Sequence, residues 1–457
     1  MSISCYKDKK MKRSNQGMTR EKKGLNISAK SFVTAILVLL VLMTLTYILT
    51  FIVPGGEIPF WKWILSPVLV LGAEDNVSLI AVLAFLLVIG GVFNCLDKCG
   101  LMRYMLDKIT YQFGKERYKL MALVTFFFMA MGSFIGSFEE CVPLVPIVCA
   151  LSIRLGWDAL TGMGMSLLAI GCGFSAGICN PFTIGVAQEL AGLPMFSGMW
   201  FRVVAFVLVY ALLMIFLFLY AKKIEKPVEL QVMDSNFADN KKMNRGLVLF
   251  ASIMGAGIVT VLCSVFVTAL QDYTMIIVAV TFLLSGLLAS GATGRGKELP
   301  GMFWHGLVSV LPAVLMILMA NSIKYTLVEG KILNTILNGA IDVAGTLPGW
   351  SVILFIYLIV LIMNFFIASG SAKAFLLMPL IIPVAEAFGI SAQLCIVAFA
   401  FGDGFSNVFY PTNPVLLISL GLADVSYGKW VKWSWKFQTL NLILTAGLLL
   451  LGLVIGY

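Results

Sequence analysis

Apolar runs long enough to cross a bilayer recur along this chain, and short polar loops separate them. Uninterrupted runs at about 32–53, 77–96, 199–221, 247–268, 274–290, 302–321 and 437–456 predict membrane helices, since a hydrocarbon core takes about 20 apolar residues. Four shorter arms behave differently. Those near 120–136 and 141–153 flank Gly136-Ser-Phe-Glu-Glu140, with Pro143 and Pro146 just beyond. Those near 350–367 and 374–388 flank Ala368-Ser-Gly-Ser-Ala-Lys373. A charge joined to a helix breaker costs about 2.5–3.5 kcal/mol at mid-bilayer, so each pair of arms predicts a re-entrant hairpin with a sheltered tip. Two full spans are the rival reading of the first pair.

Two further stretches, about 158–193 and 392–421, are apolar but interrupted. One holds Gly171-Cys-Gly-Phe-Ser175 and then Asn180-Pro181; the other holds Gly402-Asp-Gly-Phe-Ser406 and then Asn413-Pro414. Gly, Asn and Pro break helices, and backbone groups freed in lipid need internal partners. Paired broken segments in two halves of a chain are the sequence sign of a transporter binding site.

Charge sets the topology. Nine Lys or Arg precede the first helix, at positions 7, 9, 10, 12, 13, 20, 22, 23 and 30, which predicts a cytoplasmic N-terminal tail. Loops 97–119 and 222–246 are also basic, and residues 54–75 fall outside. Five crossings then separate the two hairpins. Five is odd, so the hairpins enter from opposite faces, as inverted repeats require. Trp430, Trp433 and Trp435, among Lys429, Lys432 and Lys436, read as an interfacial belt. The expected organisation is a disordered basic tail (1–30), a first repeat half (31–221), a cytoplasmic linker (222–246) and a second half (247–457).

Composition agrees: hydrophobic residues make up 60% of the chain and charged residues 12%, about half the charge of a soluble domain. The 457 residues suffice for about ten to twelve crossings. The net charge of +9 therefore marks cytoplasmic loops, not nucleic-acid binding. Cys95 and Cys99 have metal-like spacing but no histidine partner; the one histidine, His305, opens an apolar run. There is no G-x-x-x-x-G-K-[ST] nucleotide loop and no catalytic cluster, which disfavours a pump or a membrane enzyme. No cofactor is expected.

The segments Gly136-Ser-Phe-Glu-Glu-Cys-Val-Pro143, Asn180-Pro-Phe-Thr-Ile-Gly185, Ala368-Ser-Gly-Ser-Ala-Lys-Ala374, Gly402-Asp-Gly-Phe-Ser-Asn407 and Tyr410-Pro-Thr-Asn-Pro414 resemble those of the YfcC-like group. That group lies in the four-carbon-dicarboxylate anaerobic carrier family of the ion transporter superfamily. The resemblance covers roughly residues 30–457. It implies an all-α polytopic protein with inverted repeats, each with a hairpin and a broken helix. It further implies elevator-type movement against a scaffold, a homodimer, and a small-molecule substrate, dicarboxylate or basic amino acid.

Half-helix ends at tips and breaks attract ions of both signs. The candidate binding residues are Ser137, Glu139 and Glu140 at the first tip and Asn180 and Thr183 at the first break. Ser369, Ser371 and Lys373 come from the second tip, and Ser406, Asn407, Thr412 and Asn413 from the second break. Asp403 is a candidate sodium or proton site, with a structural hydrogen-bonding role as its rival. Glu139 and Glu140 can be a solvated pair, a proton site or an amine trap. Lys373 can snorkel, clamp a carboxylate or pair with the two glutamates. Acids at one tip and a base at the other point to a zwitterion, hence an amino acid carried by exchange or ion coupling. A four-carbon dicarboxylate is the alternative, and an ion channel a more distant one.

Overall fold

The computed structural model of the chain describes residues 29–457 except 73–76, 137, 195, 228–239, 265–272, 333–334, 336–338, 340–342, 344–345 and 368. These residues are helical, with no strand among them. In chain order the main helices are α1 (Ala29–Thr50), α2 (Val77–Lys98), α3 (Leu101–Phe113), α4 (Arg117–Ala130) and α5 (Val145–Arg154). Then follow α6 (Ala159–Ala176), α7 (Val186–Leu190), α8 (Met199–Ile224), α9 (Lys241–Ser264), α10 (Thr274–Ser290), α11 (Leu299–Ser309) and α12 (Leu311–Glu329). The last are α13 (Gly349–Phe366), α14 (Gly370–Ala387), α15 (Ala392–Asn407), α16 (Pro414–Leu422) and α17 (Tyr427–Ile455). Seven helical spans among the described residues are long and apolar enough to cross a membrane. They include the first broken helix and both arms of the second hairpin, so they do not count crossings.

The helices sort into two packed groups. In one, α9 packs on α10, α10 and α11 on α2, and α12 on α1. In the other, α6 and α13 pack on α15, and α4, α5 and α8 pack on α6, with α17 alongside. The second group holds both hairpins and both broken helices.

Polar contacts at the helix ends fix which ends share a face. Arg117, at the start of α4, donates to the Leu155 carbonyl just past α5 (3.1 Å) and pairs with Glu225 (2.7 Å), while Arg154 pairs with Asp107 (2.9 Å). Both ends of the first hairpin therefore lie on one face, and its returning arm, helical and apolar over Cys141–Arg154, covers only about 21 Å of a hydrocarbon core about 30 Å thick, which favours a re-entrant hairpin over two full spans. The 26 residues of α8 cover about 39 Å and carry the chain from Gly198 to that face. On the opposite face, Tyr457 donates to the Gly198 carbonyl (2.5 Å), and Ser391 bonds to the Tyr457 carbonyl. Gly349 and Phe388, the two ends of the second hairpin, approach each other near Ser391. The two hairpins thus enter from opposite faces. Arg295 donates to the Lys98 carbonyl (2.5 Å), and Glu329 pairs with Lys62, so α11 and α12 together make one crossing.

Two boundaries and one residue's placement differ from the hydropathy reading. The run predicted at 302–321 is two helices bent at Val310, because Pro312 has no N–H for the α-helical ladder. The last helix starts ten residues earlier than predicted, so the Lys–Trp stretch lies within α17. Trp430 is not interfacial: it is wholly buried and its Nε1 donates to the Val408 carbonyl (2.8 Å). Trp435 stays exposed as a belt residue would. Cys95 and Cys99 pack at the α2–α11 contact, against the Leu299 carbonyl and Met302.

Candidate functional site

The two broken helices cross at their glycine motifs. The motifs are helical, and the chain breaks just after them, at 177–180 and 408–413. Within the motifs the glycines permit contact: a Cβ on Gly404 would lie 2.6 Å from Ser175 Cα, and one on Gly173 would lie 2.7 Å from the Met129 carbonyl carbon. Each break restarts on its Asn-Pro. Asn180 Oδ1 accepts from the N–H groups of Phe182 (2.9 Å) and Thr183 (3.3 Å). Asn413 Oδ1 accepts from Val415 (2.9 Å) and Leu416 (3.4 Å). Both asparagines cap half-helices, which uses their oxygen atoms and leaves the amide nitrogens for other partners. The Asn413 amide donates to Asn407 Oδ1 (2.9 Å).

The tips come to the same place. At the first, Gly136 turns with φ +75°, a left-handed value that suits glycine, and a Cβ there would strike the Asn180 side chain. At the second, a Cβ on Gly370 would be 2.7 Å from both Asp403 Oδ2 and Thr183 Cγ2. Gly370 therefore marks where the second hairpin meets both breaks.

Beside it lies a buried ionic cluster. Lys373, the fourth residue of α14, is fully buried. Its Nζ donates to Asp403 Oδ1 and to Asn364 Oδ1. The Asn364 amide reaches the Asp403 carbonyl (2.9 Å), Ser406 Oγ (2.6 Å) and Asn407 Oδ1 (3.1 Å). Ser406 Oγ donates in turn to the Gly402 carbonyl (2.7 Å). An unpaired ion at this depth would cost several kcal/mol, so lysine and aspartate require each other. Lys373 does not snorkel: it is aimed inward at the second break.

Of the predicted residues, the structure brings together Asn180, Thr183, Lys373, Asp403, Ser406, Asn407 and Asn413. Ser369 caps α14, accepting from the Ala372 N–H (3.4 Å), and is exposed; Ser371 lies beside it, half-buried. Ser137 and the side chains of Glu139 and Glu140 lie outside the described residues. Among the described residues, Asp403 Oδ2, Ser175 Oγ, Asn180 Nδ2, Thr183 Oγ1 and Thr412 Oγ1 are buried with no hydrogen-bond partner. Buried polar groups are normally satisfied, so these five atoms leave hydrogen-bonding capacity free in and beside the two crossing helices.

Sequence reasoning missed Asn364, the hub of the cluster. Its signal was available: it is the one asparagine in the otherwise apolar arm Gly349–Phe366. It also missed Arg202 of α8, buried to 1% exposure, which donates to the Ile178 carbonyl in the first break (3.3 and 3.2 Å) and to Phe196 (3.3 Å).

Opposed hairpins and crossed broken helices around a buried ionic cluster define a multi-pass membrane transporter of the secondary carrier class. The family follows from the chain itself. A family model described as "C4-dicarboxylate anaerobic carrier" (DcuC) matches residues 68–454, and the chain belongs to that family. It is 29% identical over 404 residues to the Escherichia coli K12 protein described as "Putative basic amino acid antiporter YfcC", covering 83% of this chain and 78% of the relative. An uncharacterized protein of Haemophilus influenzae is 23% identical over 372 residues, covering 79% and 72%. Among solved structures, the Alcanivorax borkumensis YdaH transporter aligns with a TM-score of 0.46 at 17% identity, covering 93% of this chain and 99% of that one. Neisseria gonorrhoeae MtrF, from a class of antimetabolite efflux pumps, gives 0.44 at 14% identity, covering 91% and 94%.

Proposed function

We propose that this chain is a secondary carrier for an amino acid, with basic amino acids the first to test, working by exchange or ion coupling. One observation carries the reading: the cluster offers a carboxylate oxygen, Asp403 Oδ2, beside the unpartnered donors Asn180 Nδ2 and Thr183 Oγ1. An ammonium needs the first and a carboxylate the others. A dicarboxylate suits the site less well, because the ammonium of Lys373 is already matched by Asp403. The relative described as a basic amino acid antiporter points the same way. In this reading the tail and the Arg117–Arg154 face are cytoplasmic, from their basic charge.

The test is counterflow in proteoliposomes loaded with arginine, ornithine, a neutral amino acid, aspartate, succinate or fumarate. Accumulation of a labelled amino acid, weakened at least tenfold by Thr183→Val or Asn180→Ala, is the expected result. Accumulation confined to succinate or fumarate would overturn the amino-acid reading in favour of a dicarboxylate carrier.

A further inference from the structure

We propose that Lys373 is a tethered cation that occupies the position a sodium ion would take in this carrier, so that the wild-type site does not bind sodium. The proposal rests on the Lys373–Asp403 cluster being the transport site, and its test needs no substrate.

Every acceptor around the Lys373 ammonium is oxygen. Asp403 Oδ1 and Asn364 Oδ1 accept from it directly, and Ser406 Oγ and Asn407 Oδ1 lie one bond further, on the Asn364 amide. Carboxylate, carbonyl and hydroxyl oxygens are what a small hard cation takes as ligands. The place is also right for a cation: Asp403 to Asn407 form the last residues of the half-helix α15, whose C-terminal end carries partial negative charge.

Apart from its contacts with Asp403 and Asn364, nothing in the fold favours a lysine at position 373. It sits at the positive N-terminal end of α14, where a cation is disfavoured. It is fully buried, so it gains nothing from solvent. A packing role needs only its methylenes. What the ammonium does supply is one positive charge, fixed to the chain, against Asp403, the one carboxylate of its cluster among the described residues. Lysine is suited to this because its charge is compact and its three donors are free to point.

Removing that charge should open the position to sodium. The probe is sodium chloride against potassium chloride or choline chloride, read by thermal unfolding of the full chain in detergent without substrate. Wild-type protein should melt at the same temperature in all three salts. Lys373→Met and Lys373→Gln should each acquire a sodium-specific rise of roughly 2 °C or more at a saturating concentration. Adding Asp403→Asn should abolish that rise, and Lys373→Arg, which keeps the charge, should never show it. Two results would overturn the proposal. One is a sodium-specific rise in the wild type that Asp403→Asn removes. The other is a cooperatively melting Lys373→Met or Lys373→Gln protein blind to sodium. Neither depends on which substrate is carried, so the amino-acid reading stands or falls separately.

Discussion

Replacing Gly404 with alanine should separate the two broken helices and destabilise the whole carrier body. The new Cβ would lie 2.6 Å from Ser175 Cα, with the Ser175 backbone nitrogen closer still. Carbon atoms rest about 3.5–4.0 Å apart, so the helices must part by about 1 Å. Both atoms belong to helix backbones, so no rotamer change can relieve the clash. Overpacked cores cost about 1–3 kcal/mol, and a backbone-on-backbone contact belongs at the upper end, about 3 kcal/mol. With an unfolding entropy of about 2.1 cal/mol/K per residue, a chain of 457 residues shifts by about 1 °C per kcal/mol, so the melting temperature should fall by about 3 °C. Transport should fall with it, because Gly404 adjoins Asp403 and the shift misplaces the ionic cluster. The control is Gly447→Ala in α17, where nothing lies within 4 Å of a new Cβ. That change should be neutral or stabilising by up to about 1 kcal/mol, since alanine favours helix. A Gly404→Ala protein melting within about 1 °C of wild type would refute the crossing geometry.

Three further outcomes are expected. In potassium salt, Lys373→Met should destabilise by about 3–5 kcal/mol by leaving Asp403 buried and unpaired, and adding Asp403→Asn should restore most of the loss; additive effects in this double-mutant cycle would mean that the pair is not coupled. Asn180→Ala and Asn413→Ala should each lose about 1 kcal/mol of capping energy in the same melts, with Asn413 the costlier because it also holds Asn407. Glu329→Gln should cost less than about 1 kcal/mol, because its partner Lys62 and Glu329 itself are both partly exposed.

Much of the architecture was legible because bilayers impose strict rules. Span length, loop charge and odd parity together predict opposed hairpins, and the contacts of Arg117 and Tyr457 show them. The breaks were legible to within a few residues. They follow the glycine motifs instead of falling inside them, since those glycines serve close packing within helices. The wiring of the site was less visible. Lys373 could be placed at the second tip, but a sequence does not say whether a long flexible side chain turns out or in. Its partner among the described residues proved to be Asp403, thirty residues on in the second break, while the side chains of the two first-tip acids lie outside the described residues. Trp430 was misread for a related reason: tryptophan beside lysine fits an interface, yet this indole has a carbonyl to satisfy.

The residues missed by sequence share one physical role. A broken helix in lipid frees N–H and C=O groups, each of which must be satisfied by protein. At the first break, Ser133 of the preceding hairpin arm accepts from the Ile178 N–H (3.0 Å) and takes the Cys179 N–H on its carbonyl (3.1 Å). Arg202 of the following helix holds the Ile178 carbonyl. At the second break, Asn364 of the preceding arm holds the Asp403 carbonyl, and Trp430 and Tyr427 of the following helix hold those of Val408 and Phe409. Each break is thus clamped between the arm before it and the helix after it, with different side chains in the two halves. An inverted repeat needs the same backbone groups satisfied in both halves, but any donor of the right reach will serve. That is why the pairing is plain in space and faint in sequence. It also explains why the fixed charge at the first break, Arg202, has no acid beside it among the described residues: its counterparts are the Ile178 carbonyl just past the negative end of α6, the Phe196 carbonyl and the Tyr457 hydroxyl.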